Sequence, residues 1–301
     1  MKKFGYYPGC SLSGTGLEMD ISTRAVAKEL GIELWEVPDW NCCGASSAHV
    51  TDHNLALALP TRNLAIAEEA GVGLAVPCAA CFVRCKASEK AVRESDEMKS
   101  RMEYITGRKY EGKYDTKNML EIISEEVGID SIKGKVKRPM KGLKAASYYG
   151  CLLVRPPEVT QFDDEEDPQS MDDIVKAIGG EAVNWNFKVE CCGAAHPTAL
   201  PKAGLQMTQA VLDDAKKNGA ECIVCACPLC ATNLDMRQVQ IGKSKGVTYD
   251  LPVFYFTELL GMAIGLGPKT VGLKHHFVDP MPLLEKKGLL KDPVEKGEDK
   301  A

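Results

Sequence analysis

The chain has 301 residues, of which 45% are hydrophobic and 26% charged, with a formal net charge of -5. This is the profile of a globular protein long enough for two domains. A mildly acidic balance without a basic stripe excludes a nucleic-acid backbone as partner, and no apolar run of about 18 residues is present to span a membrane.

In chain order, residues 4–7 are predicted as a short strand ending at Pro8-Gly9-Cys10. A helix is expected over 17–30, where Leu17, Ile21, Ala25 and Leu30 recur at roughly helical spacing and Gly31 stops the run. A strand over 32–37 leads to Cys42-Cys43-Gly44. An Ala/Leu-rich helix follows over 54–70, interrupted or restarted at Pro60, and a strand over 74–76 delivers Cys78. The basic stretch 133–144 reads as a solvated linker. The plan then repeats: a strand over 145–149 into Cys151, a helix over 171–178, a strand over 182–187 toward Cys191-Cys192, a helix over 205–217 and a strand over 222–224. Further helices are expected over 118–127 and 257–264. The acidic stretch 161–173 is expected to be an exposed loop, and the Gly- and Pro-bearing tail from 265 to wrap the second repeat or a partner. Strand alternating with helix implies parallel pairing and an α/β class, with cysteines at strand ends, where open sheets put their ligands.

The thirteen cysteines carry the strongest signal. Cys10, Cys42-Cys43-Gly44 and Cys78-x-x-Cys81 recur as Cys151, Cys191-Cys192-Gly193 and Cys227-x-x-Cys230. The last four cysteines of each copy are offset by 149 residues, and only the lead cysteine slips, to 141. Two domains are therefore expected, over residues 1–138 and 139–301. The opening MKKFGYYPGC lacks the apolar core of a signal peptide, which points to the cytoplasm, a reducing compartment where clustered thiols bind metal more often than they form disulfides.

Thiolates are soft ligands for zinc, copper(I) and iron-sulfur clusters. Four would make a structural zinc site, and zinc in one domain is the alternative. Five matched thiols per copy, two of them adjacent, are easier to use on several irons than on one tetrahedral ion. Cys85, Cys222 and Cys225 have no counterpart in the other copy. They read as buried hydrophobes, with Cys222-x-x-Cys225 as a candidate redox pair.

The stretches YYPGC at 6–10, NCCGASSAH at 41–49 and ECCGAAH at 190–196, with the doubled cysteine spacing, resemble the catalytic B-type chain of heterodisulfide reductase, with duplicated cysteine-rich CCG domains. The opening YYPGCSLSGTG is closer to the bacterial, sulfur-metabolising branch. The resemblance implies two tandem Rossmann-like halves facing each other across a cleft, each holding a noncubane 4Fe-4S cluster. The ligands it implies are Cys10, Cys42, Cys43, Cys78 and Cys81, then Cys151, Cys191, Cys192, Cys227 and Cys230. It further implies reduction, or reversible formation, of a disulfide or related sulfur bond between the clusters. A ferredoxin-like C subunit and a flavin-bearing A subunit are the implied partners. Each cluster would give one electron and hold one sulfur as the bond parts.

His49 and His196 follow the Cys-Cys pairs closely enough to protonate a leaving thiolate, with His53, His275 and His276 weaker candidates. Arg84 and Arg155 lie just beyond motif cysteines and are candidates for binding an anionic group. SLSGTG at 11–16 lacks the third glycine of a dinucleotide turn, so electrons are expected from another subunit. The alternative to a catalytic subunit is an electron-transfer or scaffold subunit of a larger oxidoreductase.

Overall fold

The computed structural model describes residues 2–45, 47–196 and 199–290. Each half holds a four-stranded parallel sheet. The first comprises β1 (Lys2–Tyr6), β2 (Ile32–Glu36), β3 (Leu74–Val76) and β4 (Thr116–Asn118), in the order β2-β1-β3-β4. The second comprises β5 (Lys144–Tyr148), β6 (Glu181–Ala182), β7 (Cys222–Cys225) and β8 (Val253–Tyr255), in the order β6-β5-β7-β8. The expected α/β class and tandem similar halves are thus observed. In each sheet the chain steps outward from the first strand to one side, then returns to its other side. The strand order therefore reverses between β1 and β3, and between β5 and β7, where a crevice opens at the carboxyl ends. Cys10 and Cys78 follow the first of these strand pairs, Cys151 and Cys227 the second.

Local chemistry explains most elements. Helix Leu17–Leu30 ends at Gly31, whose φ of 76° is the left-handed cap that glycine adopts without a Cβ penalty. Helix His53–Glu69 starts where the Asp52 carboxylate accepts from the Leu55 N–H at 2.8 Å. It runs unbroken through Pro60, against the expected interruption. On the turn that the proline opens, the Thr61 and Ser88 hydroxyls both donate to the Leu57 carbonyl, at 2.7 and 3.0 Å, and burial of Leu57 and Pro60 holds the helix together.

Three other expectations change. The strand over 182–187 shrinks to the two residues of β6, because Trp185 turns inward and its indole N–H donates to the Ser147 carbonyl at 3.1 Å. Strands β4 and β8, three residues each, precede the helical segments expected after the Cys-x-x-Cys motifs and are too short to show a strand pattern in the sequence. The acidic stretch is only partly a surface loop. Phe162 and Asp172 are buried, and Lys188, itself buried, reaches Asp172 at 2.8 Å and Asp167 at 2.7 Å.

The halves share a packed seam. Helix Phe256–Ala263 lies against Leu17–Leu30, with the Ser22 and Thr257 hydroxyls 2.7 Å apart in the core. A Cβ on Gly261 would stand 2.6 Å from Val271 and 3.2 Å from Val26, so this approach requires glycine. The linker is pinned where the Lys137 and Arg138 amides donate to the Ala263 carbonyl, both at 2.8 Å. The tail wraps the second repeat as far as residue 290. Its His276 sits between Glu258, at 2.9 Å, and Asp235, at 3.5 Å, while Gly272 packs on Glu18 of the first half. Tail residues 291–301 lie outside the described residues.

Candidate metal centre

The sheet topology brings all ten repeated cysteines to one region. β1 runs into Gly9, whose φ of 65° turns the chain into Cys10. Cys78 and Cys227 are the N-cap residues of helices Ala79–Glu94 and Pro228–Met236, so both helices direct their free N–H groups and positive dipole ends at the sulfurs. The glycine after each Cys-Cys pair is required by conformation and by space. Gly44 and Gly193 have φ of 74° and 81°, and a Cβ would come within 2.7 Å of Ala48 in the first and 2.8 Å of the Gly204 carbonyl oxygen in the second. Gly193→Ala is accordingly expected to destabilise the protein by about 2 kcal/mol or more. Gly107→Ala, with φ of 66° and nothing within 4 Å, should cost about 1 kcal/mol; thermal unfolding of the two variants checks the order.

The thiols meet in pairs that repeat between halves. Cys43 Sγ lies 3.0 Å from Cys81 Sγ, and Cys192 meets Cys230 in the same way. Cys42 meets Cys10 as Cys191 meets Cys151, and Cys78 meets Cys81 as Cys227 meets Cys230. Cys78 and Cys227 also touch each other across the seam, joining the two sets of five. Cys43, Cys191, Cys192 and Cys227 accept from their partner sulfurs and gain thiolate character. The hydrogen bond from Cys81, helped by the Ala45 N–H and the Tyr7 hydroxyl, brings Cys43 down to about 7. The bond from Cys151, with the Gly193 N–H, brings Cys191 down to about 6. Cys227 is lowered by Cys230 and Cys78, while Cys78 is raised by sharing its proton with Cys227.

Among the described residues, no three His, Cys, Asp or Glu side chains are grouped as a single metal ion would need. All thirteen cysteines are free. Two strings of five thiols, several already favouring the thiolate, are a donor set that fits a polynuclear iron-sulfur group better than one zinc ion.

Exposure differs between the sets. Cys10 and Cys42 are exposed, whereas Cys43, Cys78 and Cys81 are buried. A cavity of about 100 Å³ opens on the second set, lined by Cys151, Cys191, Cys192, Cys227 and Cys230 and by the apolar Leu152, Leu229, Ala79 and Ala80. The cleft between the halves is therefore narrow and largely apolar. Larger grooves, such as that of about 340 Å³ beside Phe4 and Lys135, contain no cysteine.

The other candidates separate. His196 faces Cys191, whereas His49 and His53 are exposed on their short helix and helix start. His276 is held by two buried carboxylates, away from the thiols, and His275 is exposed. Arg155 donates to the Glu165 carbonyl at 2.8 Å, while the Arg84 Nε is buried without a partner among the described residues. Cys222 and Cys225 occupy positions of opposite parity in β7 and so point to opposite faces of the sheet. The candidate redox pair is thereby excluded. Cys225 instead stands behind Cys192, and Cys85 behind Cys43. Sequence reasoning misses two buried tyrosines, Tyr7 and Tyr148. The available signal is a tyrosine three residues before the lead cysteine in both copies.

Among the described residues, no helix is long and apolar enough to cross a membrane. The cysteine-rich domain model CCG matches residues 4–86 and 145–235. The chain is 32% identical to the 8-methylmenaquinol:fumarate reductase membrane anchor subunit of Wolinella succinogenes, over 94% of this chain and 99% of that protein. It is 28% identical to the B-type chain of the ferredoxin:CoB-CoM heterodisulfide reductase of Methanosarcina mazei, over 95% of this chain and 97% of that one. The crystal structure of a hypothetical protein from Helicobacter pylori shares the fold, with a TM-score of 0.77 at 14% identity, covering 92% of this chain and 52% of that one. The chain spans about half the length of that Helicobacter protein. Two complete cysteine sets, two domain matches and relatives aligned from end to end lead to one conclusion: the chain belongs to the cysteine-rich CCG family, as a two-copy member related to the B-type chain of heterodisulfide reductase.

Proposed function

We propose that the protein is the iron-sulfur subunit of a heterodisulfide reductase-like complex, acting on a disulfide or related sulfur bond where the two thiol sets meet. The observation that carries this reading is the repeated pairing of ten cysteine sulfurs joined at Cys78 and Cys227. Cys10, Cys42, Cys43, Cys78 and Cys81 would hold one noncubane 4Fe-4S cluster, and Cys151, Cys191, Cys192, Cys227 and Cys230 the other. When bound, such clusters supply one electron each, which suits a two-electron disulfide cleavage. The chain's own residues do the rest. The N–H groups opening helices Ala79–Glu94 and Pro228–Met236 favour negative charge on the sulfurs. Leu152, Leu229, Ala79 and Ala80 keep water from the cavity. His196, facing Cys191, delivers a proton to a leaving thiolate, whereas His49, exposed on its short helix, has no matching contact with the first set among the described residues.

Thirteen free thiols suit a reducing compartment such as the cytoplasm. A ferredoxin-like C subunit and a flavin-containing A subunit supply the electrons, with the exposed Cys10 and Cys42 marking a side open to a partner. The relative from the fumarate reductase supports a second reading, an electron-transfer subunit of a larger oxidoreductase. Iron, zinc and acid-labile sulfide analysis of anaerobically prepared protein, with EPR in the presence of thiols, tests both. About eight irons and eight sulfides with a thiol-dependent signal support the disulfide-cleaving role. The same content with no response to any thiol favours electron transfer, and zinc without sulfide overturns both.

A further inference from the structure

Tyr7 and Tyr148 occupy equivalent places, each three residues before the lead cysteine of its copy. Both side chains are buried, at 0% and 1% exposure. The Tyr7 hydroxyl donates to the Asn41 carbonyl at 2.8 Å, and the Tyr148 hydroxyl to the Glu190 carbonyl at 2.5 Å. Asn41 and Glu190 are the residues immediately before the two Cys-Cys pairs. The tyrosines are offset by 141 residues and these carbonyls by 149, so the eight-residue slip is absorbed elsewhere and the contact is kept. Each hydroxyl also faces the second sulfur of its pair, Tyr7 on Cys43 and Tyr148 on Cys192.

The rings are clamped. Tyr7 meets Trp40 edge-on, with centroids 5.7 Å apart, and Tyr148 meets Trp185 at 6.1 Å. On the other side pass Gly9 and Gly150, where a Cβ would lie 3.6 Å from Tyr7 Cζ and 3.5 Å from Tyr148 Cε1. A held ring leaves one freedom, rotation of the hydroxyl hydrogen between two acceptors, a carbonyl and a sulfur. A phenol ordinarily keeps its proton at neutral pH, and each hydroxyl is seen here as a donor to its carbonyl.

We propose that Tyr7 and Tyr148 are positioning residues that turn their hydroxyl protons from the Asn41 and Glu190 carbonyls onto the Cys43 and Cys192 sulfurs as these gain negative charge, and so set the potential of each iron-sulfur site. The inference rests on the reading of the thiols as iron-sulfur ligands. A hydrogen bond to a ligating sulfur stabilises the reduced, more negative form and raises the reduction potential.

The test is an EPR-monitored redox titration of the full chain, with iron and sulfide measured on the same samples. Tyr148→Phe and Tyr7→Phe should each keep full iron and move one midpoint to lower potential, leaving the other in place. The double variant should move both. Incorporating a monofluorinated tyrosine at position 148, a stronger donor of the same shape, should move the same midpoint upward. Full iron with unmoved midpoints, or shifts of one sign for both replacements, overturns the inference alone. Iron loss in the Phe variants overturns it by making the tyrosines structural supports. Wild-type protein without iron and sulfide overturns the underlying reading and the inference with it.

Discussion

Cys192→Ala is expected to reduce the iron content from about eight to about four per chain and to abolish disulfide cleavage. Cys192 is buried and hydrogen-bonded to Cys230 and to the Ala194 N–H, so its sulfur sits inside the second thiol set. Removing it leaves four thiols on three chain segments in place of five. The control is Cys222→Ala. Cys222 is equally buried but lies on the opposite face of β7 from Cys225, with the Lys144 carbonyl at 3.9 Å as its contact. That variant should keep all its iron and lose about 1 kcal/mol of stability through the small cavity left behind. Equal iron loss in both would mean that the repeated cysteines have no special claim as ligands. Iron analysis of the two purified variants decides the matter.

The protein is expected to lose stability as pH rises from about 6.5 to about 10, and His276→Gln should remove most of that slope. His276 is desolvated, yet Glu258 and Asp235 hold its pKa up to about 10 from 6.5. A cation whose folded pKa exceeds its unfolded value contributes its full stabilisation below the unfolded value and loses it through the folded one. The window is therefore about 6.5 to 10, and the contribution amounts to roughly 5 kcal/mol at most. Glu258, raised by burial, adds a further loss with rising pH that begins near its ordinary value. Glu18, also raised by burial, faces this group as well, and so does the exposed His275. Because His276 ties the tail to helices Pro228–Met236 and Phe256–Ala263, the loss should first appear as proteolytic sensitivity between 265 and 290. Denaturant titrations at pH 6, 8 and 10 on wild type and variant measure the slope; a wild type with no slope would remove the triad from the energetics of the tail.

Much of the architecture was legible because it is locally encoded. Gly31 closes helix Leu17–Leu30 through its own backbone freedom, Asp52 opens helix His53–Glu69 with its own carboxylate, and the constant cysteine offset marks the duplication. These are properties of a few consecutive residues or of counting, and need no partner from afar. Strands β4 and β8, of three residues each, had too little pattern to be read, and β6 was expected longer than its two residues, since the extent of such strands depends on pairing with a neighbouring strand. Pro60 argued for a break that did not occur, because the burial of its helix outweighs the local penalty.

The sequence by itself determined that this is a duplicated α/β chain with two matched sets of five thiols at strand ends. Only the tertiary structure decided that Cys78 touches Cys227, that Cys222 and Cys225 face apart, that Tyr7 and Tyr148 lie under the Cys-Cys pairs, and that His276 belongs to a buried ion cluster. The physical reason is common to all four. Each depends on strand order or on the packing of one half against the other, and such non-local contacts leave no periodicity or spacing in the chain.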